Sequence, residues 1–293
     1  MRVLIVGASG FIGSTLAKYL SDQGHILTVC GRKHTKNPPP FPWFSLSELS
    51  PKILESFDAV IHLSGAPIMG WRWTTKYKEE LEKSRVDTTA RLTKLILACA
   101  RPPKVWIQAS AIGYYPEADG PYTESSEPGK NFLSWLCRKW ERASEPLLES
   151  STRRCLFRLG LVLSKTGGAL SKMLPAFYLG LGGPVASGKQ IYSWIHIEDL
   201  CRLFNWALTH EISGAINATS PTPVEQKVFA KAIGKTLHRP TFFPLPEFIL
   251  NFFLGEAATL LTKGSSVLPQ KAIDHGFEFK FRDISKAIDD LLH

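Results

Sequence analysis

The 293 residues carry 35 Lys and Arg against 26 Asp and Glu, a net charge of +9, with 44% hydrophobic and 21% charged residues. This composition excludes a disordered chain, and the length suits one domain or two closely joined ones. No dense Lys/Arg run, zinc spacing or aromatic-basic repeat focuses the positive charge, so neither nucleic acid nor a membrane is expected as a partner.

The chain opens with an apolar strand, Val3-Leu4-Ile5-Val6, followed by Gly7-Ala8-Ser9-Gly10-Phe11-Ile12-Gly13. Ile12, Leu16 and Leu20 then share one face of a helix that stops at Gly24, and a second strand follows over 26–30. Strand, glycine turn, helix and strand in this order predict a phosphate cradle. Glycine at three positions lets the backbone turn tightly, approach a pyrophosphate and pack helix on strand, while N–H groups at the helix start face the anion. Gly7, Ser9, Gly10, Phe11, Ile12 and Gly13 are the candidate contacts. The second strand ends in Cys30-Gly31-Arg32-Lys33-His34, without the Asp or Glu that holds a ribose 2′-hydroxyl in NAD sites. Arg32 and Lys33 suit the 2′-phosphate of NADP(H) as the cofactor; the alternative is that they decorate a solvated loop.

A proline-rich loop over 37–42 leads to a buried-strand run, 58–65, that ends in Leu63, Ser64 and Gly65. In an open parallel sheet ligands lie beyond the carboxyl ends of the strands, so these three small or apolar residues are expected against the dinucleotide. A helix over 79–100 precedes a strand over 104–109, which places Ala109 and Ser110 at the cofactor end and runs on into Ala111-Ile112-Gly113-Tyr114-Tyr115. A helix over 131–149 and a strand over 154–163 follow. The alternation predicts an α/β fold, a Rossmann-type doubly wound parallel sheet binding NADP over 1–165. From 166 to 293 the texture becomes glycine-rich and mixed: a helix after Trp194-Ile195-His196, a short strand near 215–217, helices near 224–237 and 247–263, and a last strand-and-helix unit over 277–292. This reads as a smaller mixed α/β substrate-side region with a terminal module from about residue 245.

Arg158 lies in an apolar strand, where an unpaired guanidinium is costly, so a carboxylate or phosphate is expected beside it. His196, between Ile195 and Ile197, fits a hydrogen-bonded packing residue or a proton carrier, and Asp199 fits a helix N-terminal residue. Five cysteines, odd in number and widely spaced, support neither disulfides nor a metal site, and no ligand spacing points to a metal. The first strand starts at once, leaving no room for a signal peptide, and the apolar stretch 248–261 is too short to span a bilayer, so a cytoplasmic location is expected.

Gly7-x-x-Gly10-x-x-Gly13 with Ser110-Ala111-x-x-Tyr114 and His196-Ile197-x-Asp199 resembles the extended short-chain dehydrogenase/reductases. Arg158-Leu159-Gly160, Gly182-Gly183-Pro184, Gly188-Lys189-Gln190 and Trp194-Ile195-His196 narrow the resemblance to the atypical SDR39U1-like "epimerase family" proteins. The superfamily implies a Ser or Thr at a strand end and a Tyr-x-x-x-Lys on the next helix, the lysine lowering the tyrosine pKa so that it can move a proton. Ser110 fills the first role. One register places the tyrosine and lysine on Trp135 and Lys139, another on Leu133 and Cys137, and neither contains a tyrosine. Tyr114 and Tyr115 are the remaining phenols, either as a replacement acid or as a pocket wall. Arg85 stands where the superfamily usually has Asn; it either reaches phosphate or substrate, or pairs with Glu79 or Glu82 on the helix surface. The resemblance implies an NADP(H)-binding oxidoreductase or epimerase-like enzyme with a small carbonyl or sugar-derived substrate, compatible with a homodimer. The other reading is a non-catalytic NADPH-binding sensor.

Overall fold

A computed structural model describes residues 1–31, 40–69, 72–118 and 120–293. The elements run β1 (Arg2–Val6), α1 (Phe11–Asp22), β2 (Ile26–Gly31), β3 (Trp43–Ser45), α2 (Pro51–Leu54), β4 (Ala59–His62), α3 (Thr75–Leu97), β5 (Val105–Ala111), α4 (Phe132–Arg142), β6 (Arg153–Leu159) and β7 (Leu161–Leu163). They continue with α5 (Gly168–Tyr178), β8 (Ile191–Tyr192), β9 (Trp194–His196), α6 (Ile197–Thr209), β10 (Gly214–Ala218), β11 (Val224–Glu225), α7 (Gln226–Thr236), α8 (Glu247–Leu254), α9 (Thr259–Thr262), α10 (Gln270–Asp274) and α11 (Ile284–Leu292).

Seven strands form one sheet in the order β10-β6-β5-β4-β1-β2-β3, with every pairing parallel. The chain steps outward from β1 through β2 and β3, returns to β4 on the other side, and proceeds outward through β5, β6 and β10. The reversal between β1 and β4 leaves a crevice at the carboxyl ends of those strands, where ligands of doubly wound sheets bind. The strands read as continuous apolar runs because both faces are covered. One face buries Val3, Ile5, Ala59, Ile61 and Ile107 under α1 and α6; the other buries Leu4, Val6, Val60 and Trp106 under α3 and its neighbours.

Four boundaries differ from the sequence expectation, each for a local reason. The expected 79–100 helix begins earlier, at Thr75, where the Thr74 side chain accepts the Tyr77 N–H as an N-cap. The expected 131–149 helix stops at Arg142 and gives way to a 3₁₀ turn over Glu145–Glu149, because Pro146 has no N–H to continue the ladder. The expected 154–163 strand breaks at Gly160, whose missing Cβ makes room for the Ser193 carbonyl; Leu161–Leu163 then leave the main sheet to pair with β9. No strand forms over 277–281. Phe277, Phe279 and Phe281 do alternate into the core, but the N–H groups of Lys280 and Phe281 are taken by the Asp199 carboxylate instead of a neighbouring strand.

Among the described residues no helix is long and apolar enough to cross a membrane. All five cysteines are free thiols, four of them buried. Burial pushes Cys30, Cys137 and Cys201 up to about 12, so these thiols are inert as nucleophiles.

Candidate functional site

The glycine turn after β1 divides its labour among three positions. Gly7 has φ +95°, and a Cβ there would lie 2.7 Å from the Ser64 nitrogen, so the turn presses directly on the chain leaving β4. A Cβ on Gly13 would meet the Gly7 carbonyl oxygen at 2.5 Å, which makes glycine the condition for packing α1 against its own entry turn. Gly10 is different: among the described residues a Cβ there would find only the Gly7 oxygen, at 3.4 Å. Its bareness serves the outside, where backbone is left open to an approaching group. Gly10 caps α1 with no side-chain hydrogen bond, and the first turn holds no acidic residue. The free N–H groups of that turn and the helix dipole thus face the crevice with no acceptor among the described residues to satisfy them, which is the donor set a pyrophosphate needs. Ser9 and Gly10 are exposed, and the Phe11 ring lies over Gly167 and Gly168 at the start of α5, where any side chain would collide with it. Arg32 and Lys33 lie outside the described residues.

Leu63 and Ser64 are half-buried and Gly65 is exposed at the end of β4. The Gly65 backbone rests on Arg85, and a Cβ there would lie 3.1 Å from the guanidinium carbon. Arg85 is 9% exposed, donates to the carbonyls of Leu81 and Ala66 at 3.1 and 3.0 Å, and lies over the Trp140 ring. Neither Glu79 nor Glu82 pairs with it; Glu82 instead meets Lys139 at 2.8 Å. The surface ion pair is therefore replaced by a buried cation that has carbonyl acceptors and, among the described residues, no carboxylate. Burial holds its pKa below the ordinary guanidinium range. Beside it, His62 lies fully buried in β4 with Nε2 2.9 Å from Thr89 Oγ1 and Nδ1 3.2 Å from Ser64 Oγ. Burial, with the Arg85 charge, lowers its pKa to about 3, so the ring is neutral. Sequence reading passed over His62; its one signal was a polar residue inside the run Ala59-Val60-Ile61-His62.

At the end of β5, Ser110 is where the strand was expected to place it, with Ala109 buried beside it, but its hydroxyl proton is committed. Ser110 Oγ donates to Glu141 Oε1 at 2.6 Å and is 1% exposed, so it presents no donor to a substrate. Glu141 receives two more bonds, from Arg158 Nε and Nη2, both at 2.9 Å, which identifies the expected partner of Arg158 as a carboxylate. Burial alone would lower the Arg158 pKa, but hydrogen bonding and charge from Glu141 and Tyr115 raise it instead. Arg158 Nη1 donates to the Tyr115 hydroxyl at 2.8 Å, and Tyr115 donates to Asn217 Oδ1 at 2.7 Å. Burial pushes Tyr115 up to about 12, which removes it as a proton donor near neutral pH. Tyr114 is half-buried, and its ring centroid lies 3.4 Å from the Arg158 guanidinium carbon.

The structure also separates the two registers of α4. Trp135 and Lys139 are exposed, with Lys139 over the Trp135 ring at 4.2 Å. Leu133 packs on Gly113, and Cys137 points its thiol at the Ala111 carbonyl at 3.7 Å. Leu133 and Cys137 therefore face the strand end, and neither side chain can relay a proton there.

Among the described residues one trio, His196, Glu198 and Asp290, could surround a metal ion, yet its hydrogen bonds do not fit one. His196 Nδ1 accepts the Glu198 N–H at 3.1 Å, so a neutral ring carries its proton on Nε2, the atom facing Asp290 at 3.3 Å, and has no lone pair for a metal. Glu198 is held by Lys280 through both oxygens. The packing role expected of His196 is the one it has, stacked on Phe281 at the cap of α6. Asp199 sits buried in the first turn of that helix, accepting from two backbone N–H groups and from Arg202.

Residues 3–218 match the NAD dependent epimerase/dehydratase family, and residues 245–291 match a domain of unknown function, DUF1731. The mouse epimerase family protein SDR39U1 is 38% identical over 299 residues, covering 100% of both chains. The epimerase family protein YfhF of Bacillus subtilis is 35% identical over 299 residues, covering 100% of this chain and 98% of its own. The crystal structure of human epimerase family protein SDR39U1 with NADPH superposes with a TM-score of 0.92 at 34% identity, covering 99% of each chain.

Proposed function

Because the chain belongs to the NAD dependent epimerase/dehydratase family, we propose that it is an NADP(H)-binding atypical short-chain dehydrogenase/reductase acting as an oxidoreductase or epimerase-like enzyme on a small carbonyl or sugar-derived substrate. The observation that carries the reading is the glycine-lined start of α1 at the β1/β4 reversal, which has no side-chain cap and, among the described residues, no acidic group in its first turn. The human relative crystallised with NADPH supports the choice of cofactor. Gly7, Gly10 and Gly13 shape the pyrophosphate cradle, Leu63, Ser64 and Gly65 form its opposite wall, and Arg32 and Lys33 meet the 2′-phosphate. Arg85, beneath Gly65, supplies a buried positive potential to the same anion.

When bound, the cofactor supplies or accepts a hydride at the nicotinamide ring. The chain must hold the substrate and move one proton. Tyr114 is the phenol at the β5 end that is neither buried nor hydrogen-bonded into the core network, and it carries that proton. Ser110 acts through Glu141 and Arg158 as a positioning residue for Tyr114. Leu133 and Cys137, where the superfamily has Tyr and Lys, favour the second reading, a sensor without turnover. NADPH oxidation against a carbonyl panel separates the two. Tyr114→Phe should lower turnover by about 10²-fold with NADPH affinity intact. Turnover unchanged in Tyr114→Phe removes its role, and no turnover on any substrate leaves the sensor.

A further inference from the structure

Two chain segments, 173–188 and 240–255, lie side by side and carry almost no charge. No charged residue stands between Lys172 and Lys189, and Glu247 is the only one between Arg239 and Glu256, in a chain whose residues are 21% charged. The backbone joins them: the Leu245 N–H donates to the Pro184 carbonyl at 2.8 Å, and the Ala186 N–H to the Leu245 carbonyl at 2.9 Å. A side chain on Gly183 would strike the Phe243 carbonyl, and one on Gly180 would rest on the Pro240 ring at 3.7 Å. Beyond this junction α8 packs Leu250 with Val185 and Ala258, which leaves Phe248 and Phe252, four residues apart on one face of the helix, turned outward.

The surface so formed is open hydrocarbon. Phe242, Phe248, Phe252, Phe253 and Leu179 are 68–75% exposed, and Leu181, Phe243 and Tyr178 are 47–58% exposed. At about 150–250 Å² for a whole aromatic side chain, these residues present roughly 800–1,100 Å² to solvent. The largest apolar patch on a typical monomer is about 300–600 Å², whereas one side of a standard protein interface buries about 800 Å². Abundant aromatics and missing charges are the composition of an interface centre.

We infer that this face docks on the same face of a second copy of the chain, in an isologous dimer centred on α8 and the end of α5. A lipid surface is gripped by apolar side chains together with Lys and Arg, and an acidic partner would need the net charge of +9 to be focused here, yet the two segments contain no cation. An uncharged apolar patch turned on itself is complementary by symmetry, and it keeps the charges of two basic chains out of the contact. The inference does not depend on the cofactor reading, and it gives the first helix of the 245–291 module a role outside the cofactor site.

Sedimentation velocity on the full-length chain, over a range of micromolar concentrations, should give the mass of two chains, with a Tm that rises with protein concentration. Phe252→Asp replaces an exposed anchor by a charge in both copies at once. It should weaken the dimer by at least about a hundredfold and give the mass of one chain, with circular dichroism unchanged and a Tm independent of concentration. Leu179→Glu, on the α5 segment, should do the same from the other side of the junction. Leu148→Ser, at an apolar residue 65% exposed in the turn after α4, should leave the mass at two chains. A wild-type chain with the mass of one throughout, whether free or floating with phosphatidylglycerol vesicles, overturns the inference. So does a dimer that survives both Phe252→Asp and Leu179→Glu, or one that Leu148→Ser dissociates equally.

Discussion

Replacing Glu141 by Gln removes the one negative charge that neutralises Arg158 in the interior. Arg158 and Glu141 side chains are 5% and 10% exposed and share two N–H to oxygen bonds at 2.9 Å, so the remaining guanidinium has no route to water. Removing one partner of such a pair costs about 3–5 kcal/mol, because an uncompensated charge stays buried. At about 2 °C per kcal/mol for a chain of this size, Tm should fall by roughly 6–10 °C. Glu141→Gln with Arg158→Met removes both charges and should regain most of that loss, giving a coupling of about 2 kcal/mol or more. Differential scanning fluorimetry and urea unfolding of the two single variants and the double variant complete the cycle. A Glu141→Gln variant within about 2 °C of wild type, or losses that simply add in the double variant, would refute the description of this network as a closed buried ion pair.

Gly13→Ala should destabilise the fold and abolish NADPH binding together, since its Cβ would strike the Gly7 oxygen at 2.5 Å; a soluble Gly13→Ala variant of unchanged Tm contradicts this. Arg85→Met should hold or raise the stability of the ligand-free chain, as a buried cation without a carboxylate is removed, while weakening NADPH about tenfold by calorimetry; equal NADPH affinity would show that Arg85 serves packing only. His62, lowered to about 3, stays neutral in the fold while the unfolded ring takes a proton near 6.5. Its contribution is complete above pH 6.5 and is lost as pH falls toward 3, at up to about 1.4 kcal/mol per pH unit. His62→Gln should flatten Tm between pH 7 and 5; an equally steep profile in the variant rejects the assignment. Arg32→Asp should weaken NADPH far more than NADH in fluorescence titrations, and equal losses would remove Arg32 from the 2′-phosphate.

The glycine turn was legible because its three positions sit in a strand-to-helix context with a single physical reading, and the structure distributes the work of Gly7, Gly10 and Gly13 accordingly. That Arg158 has an anionic partner was legible, as a carboxylate or a phosphate, but not that it is Glu141, since the two residues come from β6 and α4 and meet only through the fold. Ser110 was legible by place and not by state: a strand end predicts where a hydroxyl stands, not that a glutamate on the next helix takes its proton. The choice between the Leu133/Cys137 and Trp135/Lys139 registers needed the rotation of α4 about its axis, which its pattern leaves open. Residues 277–281 show the opposite failure. Their alternation is that of a strand, but the hydrogen bonds are drawn away by Asp199, about 80 residues earlier in the chain.

The most direct test is calorimetric titration of NADPH into the wild type and into Gly10→Ala. Gly10 has φ −79° and among the described residues its added Cβ would meet only the Gly7 oxygen, at 3.4 Å, so the variant should fold with an unchanged Tm while its methyl group occupies the place of the pyrophosphate. The account predicts tight binding of one NADPH per wild-type chain and a loss of at least about tenfold in the variant. No heat with the wild type, or the same dissociation constant for both, would contradict it.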